Sequence, residues 1–95
     1  MRDYELVLII SPNVAEEDIP KTVDRVTEFV TAHGGTVKGV DHWGRRKLAY
    51  HIKRFAEGHY VVAQFEVDPQ VTDELESNLR ISEEVLRHLL VRVNE

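Results

Sequence analysis

The sequence contains no cysteine. That excludes a disulfide framework, a thiolate metal site and a cysteine nucleophile, and it fits a reducing compartment. No apolar run approaches the ~20 residues needed to span a bilayer. The N-terminus, Met1-Arg2-Asp3-Tyr4-Glu5, is polar and charged and does not read as a signal peptide. By elimination, the expectation is a cytoplasmic soluble chain with no membrane contact. Its 95 residues are expected to form one domain, 1–95, large enough for one modest core.

Catalytic patterns are equally scarce. His33, His42, His51, His59 and His88 are scattered, with no i, i+4 pair and no cysteine to complete a metal site, so they read as surface histidines. Ser11, Ser77 and Ser82 lie in no nucleophile-elbow context. Gly34-Gly35 lacks the lysine and the second glycine spacing of a phosphate loop. Most carboxylates fall in two helical runs and read as solvated faces. The expectation is a protein with no enzymatic activity, no cofactor, no metal and no small-molecule substrate.

What is present is a local concentration of positive charge on an acidic chain. The formal net charge is −5, yet Trp43 to Tyr60 holds Arg45, Arg46, Lys47, Lys53 and Arg54, with Glu57 its one acidic residue. Leu48, Tyr50 and Ile52 alternate with Lys47, Ala49, His51 and Lys53, the period of a strand with one buried and one basic face. Two explanations fit this stretch: a binding edge for phosphates or an acidic partner, and an edge strand charged against sticky pairing.

Taken in order, Arg2 to Ile10 reads as a central strand. Tyr4, Leu6, Leu8 and Ile10 share one face and Asp3, Glu5, Val7 and Ile9 the other. Ile19, Val23, Val26 and Val30 form the stripe of a helix over roughly 16–32, with Pro20 confined to its first turn and Gly34-Gly35 ending it. Thr36 to Lys53 is a long strand bent at Gly39 or Gly44. A turn over 54–58 leads into a return strand, His59 to Val67, with Val61, Ala63, Phe65 and Val67 toward the core. Asp68-Pro69 opens a second helix running to about Arg80, and Val85 to Val93 is the last strand, with apolar residues on both parities.

The order β-α-β-β-α-β predicts an α+β, ferredoxin-like sandwich: a four-stranded antiparallel sheet with two helices on one face. The first and third strands are central and the other two are edges. The helix-free face is expected to display Val7, Ile9, Tyr60 and Val62 within a charged rim, as an interaction surface. RNA is a possible ligand for the basic edge. With Tyr60 the one aromatic expected on the central strands' open face, contacts to phosphate and sugar are expected rather than base stacking.

Gly44-Arg45-Arg46-Lys47-Leu48-Ala49-Tyr50, followed by Ile52-Lys53, resembles the signature of the bacterial small-subunit (30S) ribosomal protein number six family. The likeness extends from Met1-Arg2-Asp3-Tyr4-Glu5 through Trp43 and Glu57-Gly58-His59-Tyr60-Val61 to Leu79-Arg80-Ile81-Ser82-Glu83 and Val85-Leu86-Arg87. His51 stands where many relatives carry proline, and many relatives have a longer charged tail where this sequence ends at Glu95. The resemblance implies a structural ribosomal protein that binds the central domain of 16S-type ribosomal RNA together with small-subunit ribosomal protein number eighteen, a basic partner. It implies RNA or partner contact at Arg45, Arg46, Lys47, Arg2, Arg80, Arg87 and Arg92; dividing the basic residues, RNA contacts are expected through Arg2, Lys53, Arg54, Arg80, Arg87 and Arg92. The second strand and the apolar open face are assigned to the partner protein, an expected interface at Val7, Ile9, Trp43, Arg45, Arg46, Lys47, Ala49, His51, Tyr60 and Val62. Arg2 and Arg92, at the start of the first strand and the end of the last, are expected to be neighbours. Ranked below this are a homodimeric ligand-sensing domain of the same topology and, last, a small hydrolase, for which Ser11-Pro12-Asn13 supplies no phosphate-gripping loop.

Overall fold

A computed structural model describes residues 1–93. Strand β1 (Arg2–Ile10) is followed by a 3-10 turn (Glu16–Asp18) and helix α1 (Ile19–Ala32). Strands β2 (Thr36–Ile52) and β3 (Phe55–Val67), helix α2 (Pro69–Ile81) and strand β4 (Val85–Arg92) follow within the described residues. The sheet order is β2-β3-β1-β4, antiparallel throughout. The expected topology is therefore the observed one, with β1 and β3 central.

Both helices pack on one sheet face. The core joins Tyr4, Leu6, Leu8 and Ile10 of β1 to Val61, Ala63, Phe65 and Val67 of β3, under Ile19, Val23, Val26 and Val30 of α1 and Leu75 and Leu79 of α2. Period two supplies the sheet half of this core and period 3.6 the helical half. Pro20 falls at the start of α1, where its missing N–H costs nothing. The acidic run before it forms the separate 3-10 turn.

The helix ends follow local chemistry. Gly34 (φ +82°) donates to the Thr31 carbonyl at 3.2 Å, and Gly35 donates to Val30 at 2.8 Å. These are the paired bonds of a Schellman cap. At the start of α2, the Asp68 carboxylate accepts from the Gln70 N–H at 3.0 Å. Asp68→Ala removes that cap and is expected to cost about 1 kcal/mol, lowering the melting temperature by roughly 4–8 °C. A thermal melt unchanged within a degree would contradict it.

Four expectations need correction. The β2–β3 turn is not at 54–58. It is a two-residue turn at Lys53–Arg54, with φ +49° and +74°, closing on the Ile52–Phe55 pair. Neither is a residue that favours positive φ, so the turn is strained by on the order of 1 kcal/mol per residue. Gly58, which suggested a turn, lies within β3; a Cβ there would stand 2.6 Å from Ile9 Cγ2, so it is a packing glycine.

Second, Tyr50 does not join Leu48 and Ile52 on a half-buried face and is 60% exposed. Between Lys47–Glu57 and Ile52–Phe55 the ladder runs four residues of β2 against one of β3, and this wide bulge breaks the alternation. Third, His59 is not a surface histidine but is buried. Fourth, Ile9 and Val62 were expected on an exposed patch, and both are buried, at 8% and 3%. Ile9 packs against the Gly58 backbone, and Val62 sits on a central strand between Val7 and Asp41.

The register of β4 assigns the faces that its composition left open. His88 and Leu90 lie opposite Leu8 and Leu6 and face the helices; Arg87, Leu89 and Val91 lie opposite Ile9, Val7 and Glu5 and face away. No helix among the described residues is long and apolar enough to cross a membrane.

Candidate nucleic-acid and partner interface

The first part of the site is on β2 and the adjoining open face. From Asp41 to Lys47 every residue of β2 is exposed, because this outer edge has no further strand beside it. Gly44 (φ +83°) sits at a register shift opposite Tyr60. The kink accompanies a parallel stack of Trp43 on Tyr60, ring centroids 6.5 Å apart at an interplanar angle of 7°. The Arg46 guanidinium lies 5.3 Å from the Trp43 ring centroid, a cation–π distance. Arg45 Nε is 3.4 Å from the Glu57 carboxylate. Trp43, Arg46 and Tyr60 therefore belong to one surface, whereas Arg45, opposite the buried His59, lies on the other face of the strand; Lys47 continues along the strand, and Ala49 and His51 lie exposed in the bulge beyond it.

The second part is at the hairpin tip. The bulge carries Tyr50 across to β4, where Arg87 donates a hydrogen bond to its hydroxyl. The turn brings Lys53 to the end of α2 and the start of β4. Lys53, Arg80, Arg87 and His88 line one depression of about 280 Å³, and Arg54 is the exposed neighbour of Lys53 in the turn. Residues from three separate stretches thus meet in space.

The third part is the opposite end of β1. Arg92 pairs with Tyr4, two positions from Arg2 and on the same side of the sheet, and Val93 donates to the Asp3 carbonyl at 2.9 Å. Both arginines are exposed. The cations expected at RNA thus fall into two groups at opposite ends of the sheet, not one patch.

Sequence reasoning missed the apolar row on β4. Leu89, Val91 and Val93 are 51%, 43% and 44% exposed, beside the half-buried Val7. The parity of β1, combined with antiparallel pairing, would have placed Leu89 and Val91 once the register was known. The Trp43–Tyr60 stack was also missed, since it depends on the kink at Gly44. No group of three His, Asp or Glu among the described residues is placed to hold a metal ion.

A family profile described as Ribosomal protein S6 matches residues 3–92. The chain belongs to that family. It is 40% identical over 95 residues to the small ribosomal subunit protein bS6 of Moorella thermoacetica, covering 100% of this chain and 97% of that protein. The bS6 protein of Heliobacterium modesticaldum is also 40% identical over 95 residues, with 99% of it covered. The crystal structure of 30S ribosomal protein S6 from Thermotoga maritima superposes with a TM-score of 0.91 at 40% identity, over 97% of this chain and 87% of that one. The C-terminal domain of the MgtC protein from Mycobacterium tuberculosis, at 12% identity and a TM-score of 0.65, shares the fold alone.

Membership in the ribosomal protein S6 family makes this a structural, non-enzymatic constituent of the small ribosomal subunit, cytoplasmic and ribosome-associated. The sheet seen here is that family's ferredoxin-like sheet.

Proposed function

We propose that the chain binds the central domain of 16S-type ribosomal RNA jointly with small-subunit ribosomal protein number eighteen. The observation that carries this is the separation of surfaces on an acidic chain. Exposed cations gather at the hairpin tip and β4 (Lys53, Arg54, Arg80, Arg87) and at the Arg2–Arg92 end. A distinct aromatic and apolar surface around Trp43, Tyr60 and Val7 adjoins the exposed edge of β2. Clustered exposed cations suit phosphate, whereas an aromatic platform beside an open strand edge suits a protein. Arg45, Arg46, Lys47, Ala49 and His51 go with the partner surface. Ile9 and Val62 support it from beneath rather than touching the partner.

The test is a titration of a central-domain RNA fragment with the chain, alone and with the partner, at about 50 and 200 mM salt. Alone, binding is expected to be weak and strongly salt-sensitive; with the partner it is expected to be tighter by orders of magnitude. RNA binding that needs no partner and does not weaken with salt would sink the proposal.

A further inference from the structure

We infer that the groove between α1 and α2 is a docking site for a basic, amphipathic segment of a further protein, one that inserts apolar side chains beside a lysine or arginine. The groove encloses about 530 Å³, within the roughly 300–1,000 Å³ of clefts that take ligands. Val26 and Phe29 of α1 line it from one side, Leu75 and Leu79 of α2 from the other. Ile81 belongs to the same lining and is 80% exposed. It carries the apolar wall of the groove out to the surface, so it is part of a patch and not an isolated exposed residue.

Polar groups gather where the groove meets the start of β4. The Glu84 carboxylate accepts a hydrogen bond from the Thr22 hydroxyl at 3.1 Å and another from Arg25. The one cation of the lining is therefore already paired. Glu83, next to it in the lining, is exposed and has no ion-pair partner among the described residues. Its carboxylate is left to meet a cation carried by the occupant.

Charge decides the kind of occupant. Residues 16–32 and 69–84, which hold the helices and the turns beside them, carry ten carboxylates against Lys21, Arg25 and Arg80. The rest of the chain carries seven carboxylates against nine cations. The acidity of the whole chain thus lies on its helical side. That field repels RNA phosphates, an anionic membrane and a second copy of the same helices, and it draws in a basic segment. A small organic cation would enter the groove but leave Ile81 and the acidic flanks uncovered. An amphipathic helix laid along the groove covers all three. Both helices pack on one face of the sheet, so the groove stays open while the sheet's other face is occupied.

The probe is a synthetic amphipathic helix of leucine and lysine, titrated into the full chain and followed by amide chemical shifts. A scrambled peptide of the same composition controls for charge, and phenethylammonium controls for a small cation. Shifts are expected to centre on Val26, Phe29, Leu75 and Leu79, to persist with the sheet-face partner bound, and to report binding about tenfold tighter than either control. Ile81→Ser is expected to weaken the helical peptide about fivefold and to leave the melting temperature unchanged, because the side chain is solvated in the free chain. Glu83→Gln is expected to weaken it about threefold at about 50 mM salt and less at about 200 mM. Equal binding of the scrambled peptide, insensitive to Ile81→Ser, reduces the effect to net charge and overturns the docking site. Phenethylammonium binding as tightly as the peptide assigns the groove to a small cation and overturns the protein segment. Concentration-dependent dimers that bury the same residues give the groove to a second copy; shifts lost when the sheet-face partner binds give it to that partner. Either result overturns the proposal, and so does a titration without shifts.

Discussion

Alanine in place of Phe65 is expected to destabilise the fold by about 3–5 kcal/mol. Phe65 is among the largest fully buried side chains, at 1% exposure. It lies on a central strand, opposite Tyr4 on one side and Val37 on the other, with the Tyr4 ring centroid 6.1 Å away in a tilted pair. Truncation removes the ring's burial and the aromatic contact. The hole closes poorly, because its side walls are strands tied by backbone ladders and its roof is the helical layer. A small domain has about 5–15 kcal/mol in total, so this one change removes a large share and lowers the melting temperature by roughly 12–40 °C. Urea unfolding followed by circular dichroism checks it through the midpoint. A loss below about 1 kcal/mol would mean that the two layers collapse freely onto the gap. Phe29→Ala is the control: Phe29 is half-buried at the core margin, stacked on His33 at 4.1 Å, and should cost distinctly less.

The core that makes Phe65 costly was legible in the sequence because it obeys simple periods. Tyr4, Leu6, Leu8 and Ile10 alternate; Ile19, Val23, Val26 and Val30 step by a helical turn; Asp68-Pro69 marks a helix start. Those regularities decide element order, and element order with right-handed crossovers decides the sheet. What was not legible depends on exceptions to period. Lys53–Arg54 has the side chains of a strand end and the backbone of a glycine turn, while Gly58 has the composition of a turn and the job of admitting Ile9. The wide bulge before Ile52 turned Tyr50 outward. β4 has apolar residues on both parities, so its faces waited on the register with β1. For the candidate site, the signature stretch singles out the β2 residues and Lys53, but the meeting of Lys53, Arg80 and Arg87 is a tertiary event that no spacing along the chain encodes. Counting parity alone also overstated the open face, since Ile9 and Val62 point away from the helices and are nonetheless covered.

Trp43→Ala is expected to weaken binding of the partner protein by about 30- to 1,000-fold, the equivalent of roughly 2–4 kcal/mol for a central aromatic hot spot. The geometry favours an effect of that size over a marginal one. Trp43 is 51% exposed, so it has surface left to bury, but it is not loose: Tyr60 stacks on one side and Arg46 lies over the ring. A side chain already held in place loses little conformational freedom when the partner docks, which is where affinity is otherwise lost. The stability cost should be small by comparison, about 1 kcal/mol or less, because only half the ring is buried. The same variant should leave the weak, salt-sensitive binding of RNA by the isolated chain unchanged, since the cations at the hairpin tip and at the Arg2–Arg92 end are separate from the ring. Calorimetric titration of the partner into wild type, Trp43→Ala and Trp43→Phe separates the possibilities. Partial retention by phenylalanine marks an aromatic anchor. Equal affinity of all three would move the partner off β2, and the exposed row of Leu89, Val91 and Val93 on the opposite edge strand would become the surface to substitute next.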